Sequence, residues 1–550
     1  MCGIWALINH NNIDKQKLKK YENLYNSIQE RGPDKTNILQ LNNNAYVFHR
    51  LAIHDLSPLG DQPFIFYDEG CIYILICNGE IYNYKSLISK YNFEKDLKSD
   101  SDCEVIFHLY LKYKDINKVI LELRGEFVFI LSKISDLDSF TYVCRDPFGV
   151  RPLFYSCDQS LQRIFLSSLL SGVIDSKSEK GKVFPPGCIL TIKKLESNLD
   201  MSWYEYYNYN YPKYTIYTEN IYFEITSRLI NAVKIRLDSD RPIGALLSGG
   251  LDSSLICAIA SKILGIKSLK TFSIGMKKGT DLEYAQLVAE HLNCDHTEVY
   301  FTTQDGLDAI DHVLDTTETW DITTIRASVG QYFLGKYISQ NTNIKVILNG
   351  DGADEVEMGY LYFYLAPDKI SAQTETEKLL KEIHIFDGLR VDRCISKHGL
   401  EARVPFLDID FVDYYMSINS YLKIPINDSR MEKQLIRDAF NNLYPDLLPK
   451  SVIYRKKEAF SDGVSSKEKS WYQIISEWIE TKVTDEEYYQ RDQIIYLECK
   501  SKESYYYKKK FNEKFNKTLN PSWDVIPHYW LPNWIETNGE PSARILSIYK

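Results

Sequence analysis

The sequence predicts two domains: an α+β domain of layered sheets with helices outside, then an α/β domain on a doubly wound parallel sheet with a helical extension. Three observations lead there. At 550 residues the chain is too long for one hydrophobic core. In its first part the apolar runs are short, alternating and separated by turns, as in a stacked sheet sandwich. From residue 243 onward strand and helix patterns alternate, which indicates a parallel sheet covered on both faces, with ligands at the C-terminal strand ends.

Composition narrows the function classes. Hydrophobic content of 44% and charged content of 25% describe an ordinary soluble globular protein. Lys plus Arg number 65 against 75 Asp plus Glu, a net charge of −10, which argues against nucleic acid as a partner. An anionic substrate then needs a local basic pocket. The longest apolar runs, such as 71–77, are far short of a membrane span, and no basic segment precedes an apolar one at the N-terminus. We expect a cytoplasmic protein that does not engage membranes. The 11 cysteines are irregularly spaced with no CxxC, as reduced thiols would be.

The elements follow from pattern. Residues 72–77 read as an apolar strand, with Asn78-Gly79 a hairpin turn beyond it on the plainest reading. Residues 203–220 are rich in Tyr and poor in aliphatic side chains; only one Lys lies among the aromatics, so the stretch reads as a linker packed between domains. Ile225, Leu229, Val233 and Leu237 recur every four residues, an amphipathic helix entering the second domain. Strand 243–247, helix 255–264, strand 271–274, helix 281–292 and strand 344–348 follow.

Three places carry chemistry. The stretch LLSGGLDSS (246–254) joins a strand to a helix, so backbone N–H groups converge on one point and form an anion cradle. No GxxxxGK[ST] occurs, so a Walker loop is not the explanation. Here Gly249 and Gly250 make the turn, Asp252 is a carboxylate suited to Mg²⁺, and Ser248, Ser253 and Ser254 are hydroxyl donors. The bland alternative is a glycine-rich turn without a ligand. In NGDGADE (349–355), a helix starting beyond Gly352 puts Asp354 and Glu355 at its positive end, either as a cation site or as acidic residues favouring the helix start. Cys2 follows the initiator Met; with Met1 removed, its thiol and its own amino group, of reference pKa about 8.5 and about 7.7 to 8.0, supply nucleophile and base.

Cys2 is followed in order by RGPD (31–34), HRLAI (49–53), NGEIYN (78–83), SDCE (101–104), RGEF (124–127) and RDPFGVRPLFY (145–155). This set resembles the class II glutamine amidotransferases, N-terminal-nucleophile hydrolases of αββα architecture. The resemblance implies that Cys2 attacks the glutamine amide, with the Asn78 amide and Gly79 N–H as oxyanion donors. Arg50 then pairs with the substrate α-carboxylate, Glu80 and Asp102 face the α-ammonium, and Leu51 and Ile53 complete the pocket. Singly, Arg50 also reads as a surface ion pair and Asp102 as a helix cap.

The 246–254 loop resembles the pyrophosphate loop of enzymes that split ATP into AMP and pyrophosphate. TWDITTIRAS (319–328), VDRCISKHGLEARVPFLD (391–408), YRKKEAFSDGVS (454–465), HYWLPNW (528–534) and EPSAR (540–544) extend the likeness, and the whole chain resembles the glutamine-hydrolysing asparagine synthetases. That implies a glutaminase domain at 1–205, a linker at 206–220 and a synthetase domain at 221–550. Leu246, Ile274 and Gly350 line the adenine pocket; Thr323 and Arg326 hold aspartate and Asp392 faces its ammonium. Mg²⁺ sits on Asp252 and Asp354, and Lys457 neutralises charge on the adenylate, although RKKE alone reads as a solvated basic face. Asp351 stands where the family usually has a Glu that takes the proton from ammonia, one methylene longer. Tyr454, Lys456 and Ser168 also depart from the usual Trp, Gln and Glu.

The reaction expected is ATP, L-aspartate and L-glutamine giving AMP, pyrophosphate, L-asparagine and L-glutamate, by a homodimer on the family pattern. Releasing ammonia inside the protein keeps it unprotonated and nucleophilic. The rivals are an amidotransferase acting on another carboxylate and a silent binding homologue. Residues 480–520 read as a peripheral helical region.

Overall fold

The computed structural model describes residues 1–9, 15–135, 138–158, 162–174, 181–195, 198–211, 220–277, 279–427, 429–458, 463–465, 469–491, 499–515 and 531–535. Twelve strands precede residue 206 among them: β1 (Gly3–Asn9), β2 (Lys35–Leu41), β3 (Asn44–Arg50), β4 (Phe64–Asp68), β5 (Cys71–Ile81), β6 (Gly125–Ile134), β7 (Phe140–Arg145), β8 (Phe154–Asp158), β9 (Arg163–Ser167), β10 (Lys182–Val183), β11 (Cys188–Lys194) and β12 (Leu199–Glu205). They form two antiparallel sheets, ordered β10-β8-β9-β1-β3-β2 and β12-β11-β7-β6-β5-β4.

The two-residue period of each strand decides how the layers stack. Ile4, Ala6 and Ile8 of β1 meet Ile74 and Ile76 of β5 and Val128 and Ile130 of β6 between the sheets. The alternate residues Tyr73, Leu75 and Cys77 pack outward beneath the helices Tyr84–Tyr91 and Val105–Tyr113. Trp5 and Leu7 turn the other way, onto Tyr25 of the short helix Glu22–Asn26. Both faces of these strands are buried, so they read as continuous apolar runs, and the result is the αββα sandwich. Asn78 and Gly79 lie within β5, paired with Val128 and Phe127, so the hairpin-turn reading is corrected: the strand runs through them.

The third sheet is wholly parallel and has the order β15-β14-β13-β16-β17, with β13 (Ile243–Leu246), β14 (Lys270–Gly275), β15 (Asp295–Tyr300), β16 (Val346–Leu348) and β17 (Glu401–Arg403). Successive strands go one way from β13 and then the other, so the end of β13 is the topological switch point where such sheets bind ligands. The helix Ile221–Ile235 enters this domain with Ile225, Leu229 and Val233 buried. Residues 212–219 of the Tyr-rich stretch lie outside the described residues. Before them, Tyr206 donates to the Arg145 carbonyl at 2.7 Å, Tyr209 to that of Pro147 at 2.6 Å, and Tyr207 to the Asp413 carboxylate at 2.7 Å, across the domain seam.

That seam is held by buried charge. Arg236 lies 2.9 Å from Glu126 in the sandwich and 2.8 Å from Asp408 in the second domain, all about 1% exposed. Arg151 is 2.9 Å from Glu126 on its other side, and Arg31 is 2.7 Å from Asp392. No helix among the described residues is long and apolar enough to cross a membrane, and all 11 cysteines are free thiols. Replacing Arg236 with Ala strips one cation from each of two buried carboxylates. We predict a loss of about 3 kcal/mol, read as a lowered apparent unfolding midpoint, whereas exposed Lys85→Ala, paired with Asp238 across the same seam, shifts it by less than about 1 kcal/mol.

Candidate active site

Beyond β13 the chain turns through Ser248, Gly249 and Gly250 into the helix Leu251–Ala258. Gly249 has φ +73°, and a Cβ there would lie 2.5 Å from the backbone of Tyr284 and Ala285, so only glycine fits. The Ser253 hydroxyl accepts from the Ser248 N–H at 3.1 Å and the Ser248 hydroxyl from the Gly250 N–H at 3.3 Å, which shapes the loop around its open side. A cavity of about 220 Å³ opens there, lined in part by Leu246, Ser248, Gly250, Asp252, Ser253 and Ile274. Ser254 differs from its expected role: its side chain is fully buried in the helix and does not line the cavity. Gly249 also shapes the turn without lining it.

The loop after β16 forms the facing wall. Gly350 packs so closely that a Cβ there would sit 2.8 Å from the Ser253 nitrogen. Gly352, at φ +96°, starts the short helix Ala353–Val356, so Asp354 and Glu355 do occupy its first turn. Lys433 lies 2.6 Å from Asp252 and 2.6 Å from Asp354, and Lys457 also contacts Asp354. Burial alone would raise the Asp354 carboxyl, but Lys433 and Lys457 together hold it well below the usual carboxylate range. Lys457 is therefore no solvated basic face. A single cation already reaches both carboxylates, so the pair fits a divalent ion. No cluster of three or more His, Cys, Asp or Glu able to hold a metal exists among the described residues. Two carboxylates leave most coordination positions to water and phosphate, as Mg²⁺ prefers.

Further along the cavity, Asp351 accepts from Gln331 at 3.1 Å, from Asn349 at 3.2 Å and from Arg390 at 3.0 Å. Arg390 is also 3.1 Å from Asp387. Thr323 and Arg326 line the same space, and Glu503 binds the Arg326 guanidinium at 2.9 and 2.6 Å. That contact corrects the view of residues 480–520 as peripheral, since the helix Lys502–Phe515 supplies the counter-charge of a cavity residue. Asp392 is not in the cavity; it is 1% exposed and bound to Arg31 at the domain seam. Asp387, five residues earlier, lines the cavity instead. Five residues is far from a whole number of 3.6-residue turns, so the two carboxylates face differently on the helix Asp387–Ser396.

Sequence reasoning missed Lys433, Asp387 and Arg390. The Asp387-x-x-Arg390 spacing, which puts both on one helix face, was the available signal; Lys433 offered none. Of the two C-terminal motifs, only 531–534 of the aromatic one is described: Leu531 and, just beyond the motif, Ile535 line the cavity, and Trp534 donates to the Tyr362 carbonyl at 3.1 Å. EPSAR lies outside the described residues.

The sandwich builds a second site where β1, β3 and β5 meet. The Leu51 N–H donates to the Cys2 sulfur at 3.4 Å, and burial pushes the thiol up to about 11. With Met1 in place the neighbouring amino group is that of Met1; it donates to the Leu400 carbonyl at 3.0 Å and burial lowers it to about 6. The Asn78 side chain is fully buried, with neither its oxygen nor its nitrogen hydrogen-bonded among the described residues, a costly state unless a ligand completes it. Glu80 is 2.9 Å from His54 and 3.0 Å from Arg403 of the second domain. Burial and the nearby Glu401 charge raise it to about 7. Asp102 accepts from the Ile81 N–H at 2.6 Å, and Arg50 is bound to Asp61 at 2.6 Å and to the Ser57 carbonyl at 2.9 Å. Leu51 and Ile53 pack on Val346 with Cys2 and Ile243 against them, so the thiol rests on the strands that end at the other cavity.

A nucleophile sandwich joined to a parallel sheet with an anion cradle at its switch point defines an amidotransferase-type ligase with two separate sites. The family model described as glutamine amidotransferase domain matches residues 1–186, and that described as asparagine synthase matches 224–382 and 371–536. Over the full chain and 99% of their own length, the asparagine synthetases [glutamine-hydrolyzing] of Homo sapiens and Mus musculus are each 39% identical to it, and that of Gallus gallus 37%. The chain belongs to the family of glutamine-hydrolysing asparagine synthetases. A side chain at Gly350 would push its loop off Ser253 and Asp252, so we expect Gly350→Ala to weaken nucleotide binding at least about tenfold, roughly 1.4 kcal/mol, in a calorimetric ATP titration.

Proposed function

We propose that the protein releases ammonia from glutamine in the sandwich, adenylates the β-carboxylate of aspartate in the α/β domain, and aminates it to asparagine, giving AMP, pyrophosphate and glutamate. The observation that carries this reading is one chain holding, in its sandwich, the Cys2 thiol and a buried, unsatisfied Asn78 amide and, at the end of its parallel sheet, a glycine cradle facing two carboxylates. Residues 1–205 act as the glutaminase domain and 221–550 as the synthetase domain, joined by 206–220. The protein's place is the cytoplasm, as the sequence pattern led us to expect, and a homodimer follows the family pattern.

A carboxylate is a poor electrophile because its leaving group would be oxide. Adenylation makes the leaving group AMP. The cradle N–H groups and the Ser248 and Ser253 hydroxyls receive the phosphates, while Leu246 and Ile274 pack the base. Asp252 and Asp354 would hold Mg²⁺, which when bound stabilises charge moving onto pyrophosphate. Lys457 adds a fixed positive charge on the same side. Thr323 and Arg326 orient aspartate, and Asp387, rather than Asp392, offers the carboxylate for its ammonium. Asp351, paired with Arg390 at 3.0 Å, takes the proton as ammonia attacks.

In the sandwich, a thiol raised to about 11 is protonated at neutral pH, so it needs an adjacent base. Removal of Met1 supplies one, the free amino group of Cys2. Asn78 and the Gly79 N–H then meet the oxyanion, and Arg50, Glu80 and Asp102 orient glutamine through its α-carboxylate and α-ammonium, with Leu51 and Ile53 as the apolar wall.

The test supplies purified protein with Mg-ATP, aspartate and either glutamine or ammonium, and measures AMP and asparagine. Equal amounts of both products with either donor is the expected result; AMP from neither donor overturns it. Two substitutions distinguish the carboxylates. We expect Asp387→Asn to raise the aspartate KM by about 10- to 100-fold, the loss of one charged hydrogen bond, roughly 1.5 to 3 kcal/mol. Asp392→Asn instead lowers the unfolding midpoint and leaves that KM within about twofold, because it strands Arg31.

A further inference from the structure

Lys433 belongs to no motif, yet it occupies the centre of the nucleotide site. Its ammonium is 2.6 and 2.7 Å from the two oxygens of Asp252 and 2.6 Å from Asp354. The side chain is 2% exposed, so nothing in bulk water competes for it. Two features reserve the place. Lys433 has φ +58°, a left-handed conformation uncommon for a residue with a side chain, at the start of the helix Gln434–Leu443. Gly359 leaves room for the stem: a Cβ there would lie 2.2 Å from the Lys433 Cε and 2.2 Å from the Asp354 carboxylate.

We propose that Lys433 is a resident cation of this site, holding the place between Asp252 and Asp354 until a divalent ion arrives together with the triphosphate. This rests on the reading that those two carboxylates hold the metal. With Lys433 and Lys457 both present, the two carboxylates are already neutralised, and a bare divalent ion would meet two ammoniums and no net attraction. A nucleotide brings the negative charge that lets the ion enter and the ammonium leave. Lys433 lines the cavity, so phosphate oxygens can receive it on one side. On the other is Glu357, fully buried, with neither oxygen hydrogen-bonded among the described residues and Lys433 the strongest charge acting on it. The consequence is an order of loading: metal with nucleotide, not ahead of it.

The test is Mn²⁺ binding to the full-length protein, followed by the loss of the free-ion paramagnetic resonance signal, with and without α,β-methylene ATP. Wild type should bind Mn²⁺ weakly alone and at least tenfold more tightly with the analogue. Lys433→Met should raise analogue-free Mn²⁺ affinity at least tenfold, Lys433→Arg should not, and Asp252→Asn on the Lys433→Met background should abolish the gain. Lys433→Gln repeats the measurement with a polar head if the Met variant folds poorly. Unchanged analogue-free affinity in both neutral variants, with Asp252→Asn still weakening Mn²⁺ binding in the presence of the analogue, overturns the proposal and leaves the metal site standing. If Asp252→Asn has no effect on Mn²⁺ in any background, the metal reading falls and the proposal with it.

Discussion

Buried arginines crossing from one domain to the other position everything else in this molecule. A charge taken out of water is tolerated only beside an opposite charge, so each such pair specifies one relative placement of its two elements. Arg403 illustrates this. Its guanidinium is 3.0 Å from Glu80 of the sandwich and 2.9 Å from Glu401, while its carbonyl accepts from the Asn349 N–H at 3.0 Å, where the Asp351 loop begins. One residue thus touches both chemical sites. Arg236 and Arg31 repeat the arrangement around it, and the apolar contact of Leu51 and Ile53 with Val346 fills the space between.

The parallel sheet is consequently a shared wall. Its switch point presents the cradle and the Gly350 loop to one cavity, while the outer ends of β13 and β16 carry Ile243 and Val346 to the thiol side. Glycine makes the near wall possible at Gly249 and Gly350, where any side chain would displace backbone. Charge makes the far wall, through Arg390 and the Arg326–Glu503 pair.

Much of this was legible where chemistry or burial constrains residue type. Strands β5, β13, β14 and β16 are buried on both faces over most of their length and so read as apolar runs; β15, a polar sheet edge, and β17, three residues long, carried no such signal. The cradle and the order of the amidotransferase motifs were visible because glycine and polar residues interrupt the apolar runs at fixed places. Asp392 came from a motif, and spacing in a motif does not report which side of a helix faces a cavity. Lys433 was invisible because its partners lie 181 and 79 residues away in the chain, at Asp252 and Asp354, and only the fold brings them together. Ser254 shows the converse: a motif position can be occupied by a side chain that the fold buries away from the cavity.

The Arg403–Glu80 contact also bears on how the protein is made. A ribosome adding about 5 to 20 residues per second finishes the sandwich long before it reaches β17, so Glu80 waits on the order of 10 to 40 seconds for its last counter-charge. Arg326 waits longer still, for Glu503 near the end of the chain. A nascent sandwich lacks the Arg403 partner of Glu80. The surroundings of Glu80 therefore reach their final balance of charge only once the parallel sheet of the second domain has been made, because the partner was drawn from that sheet.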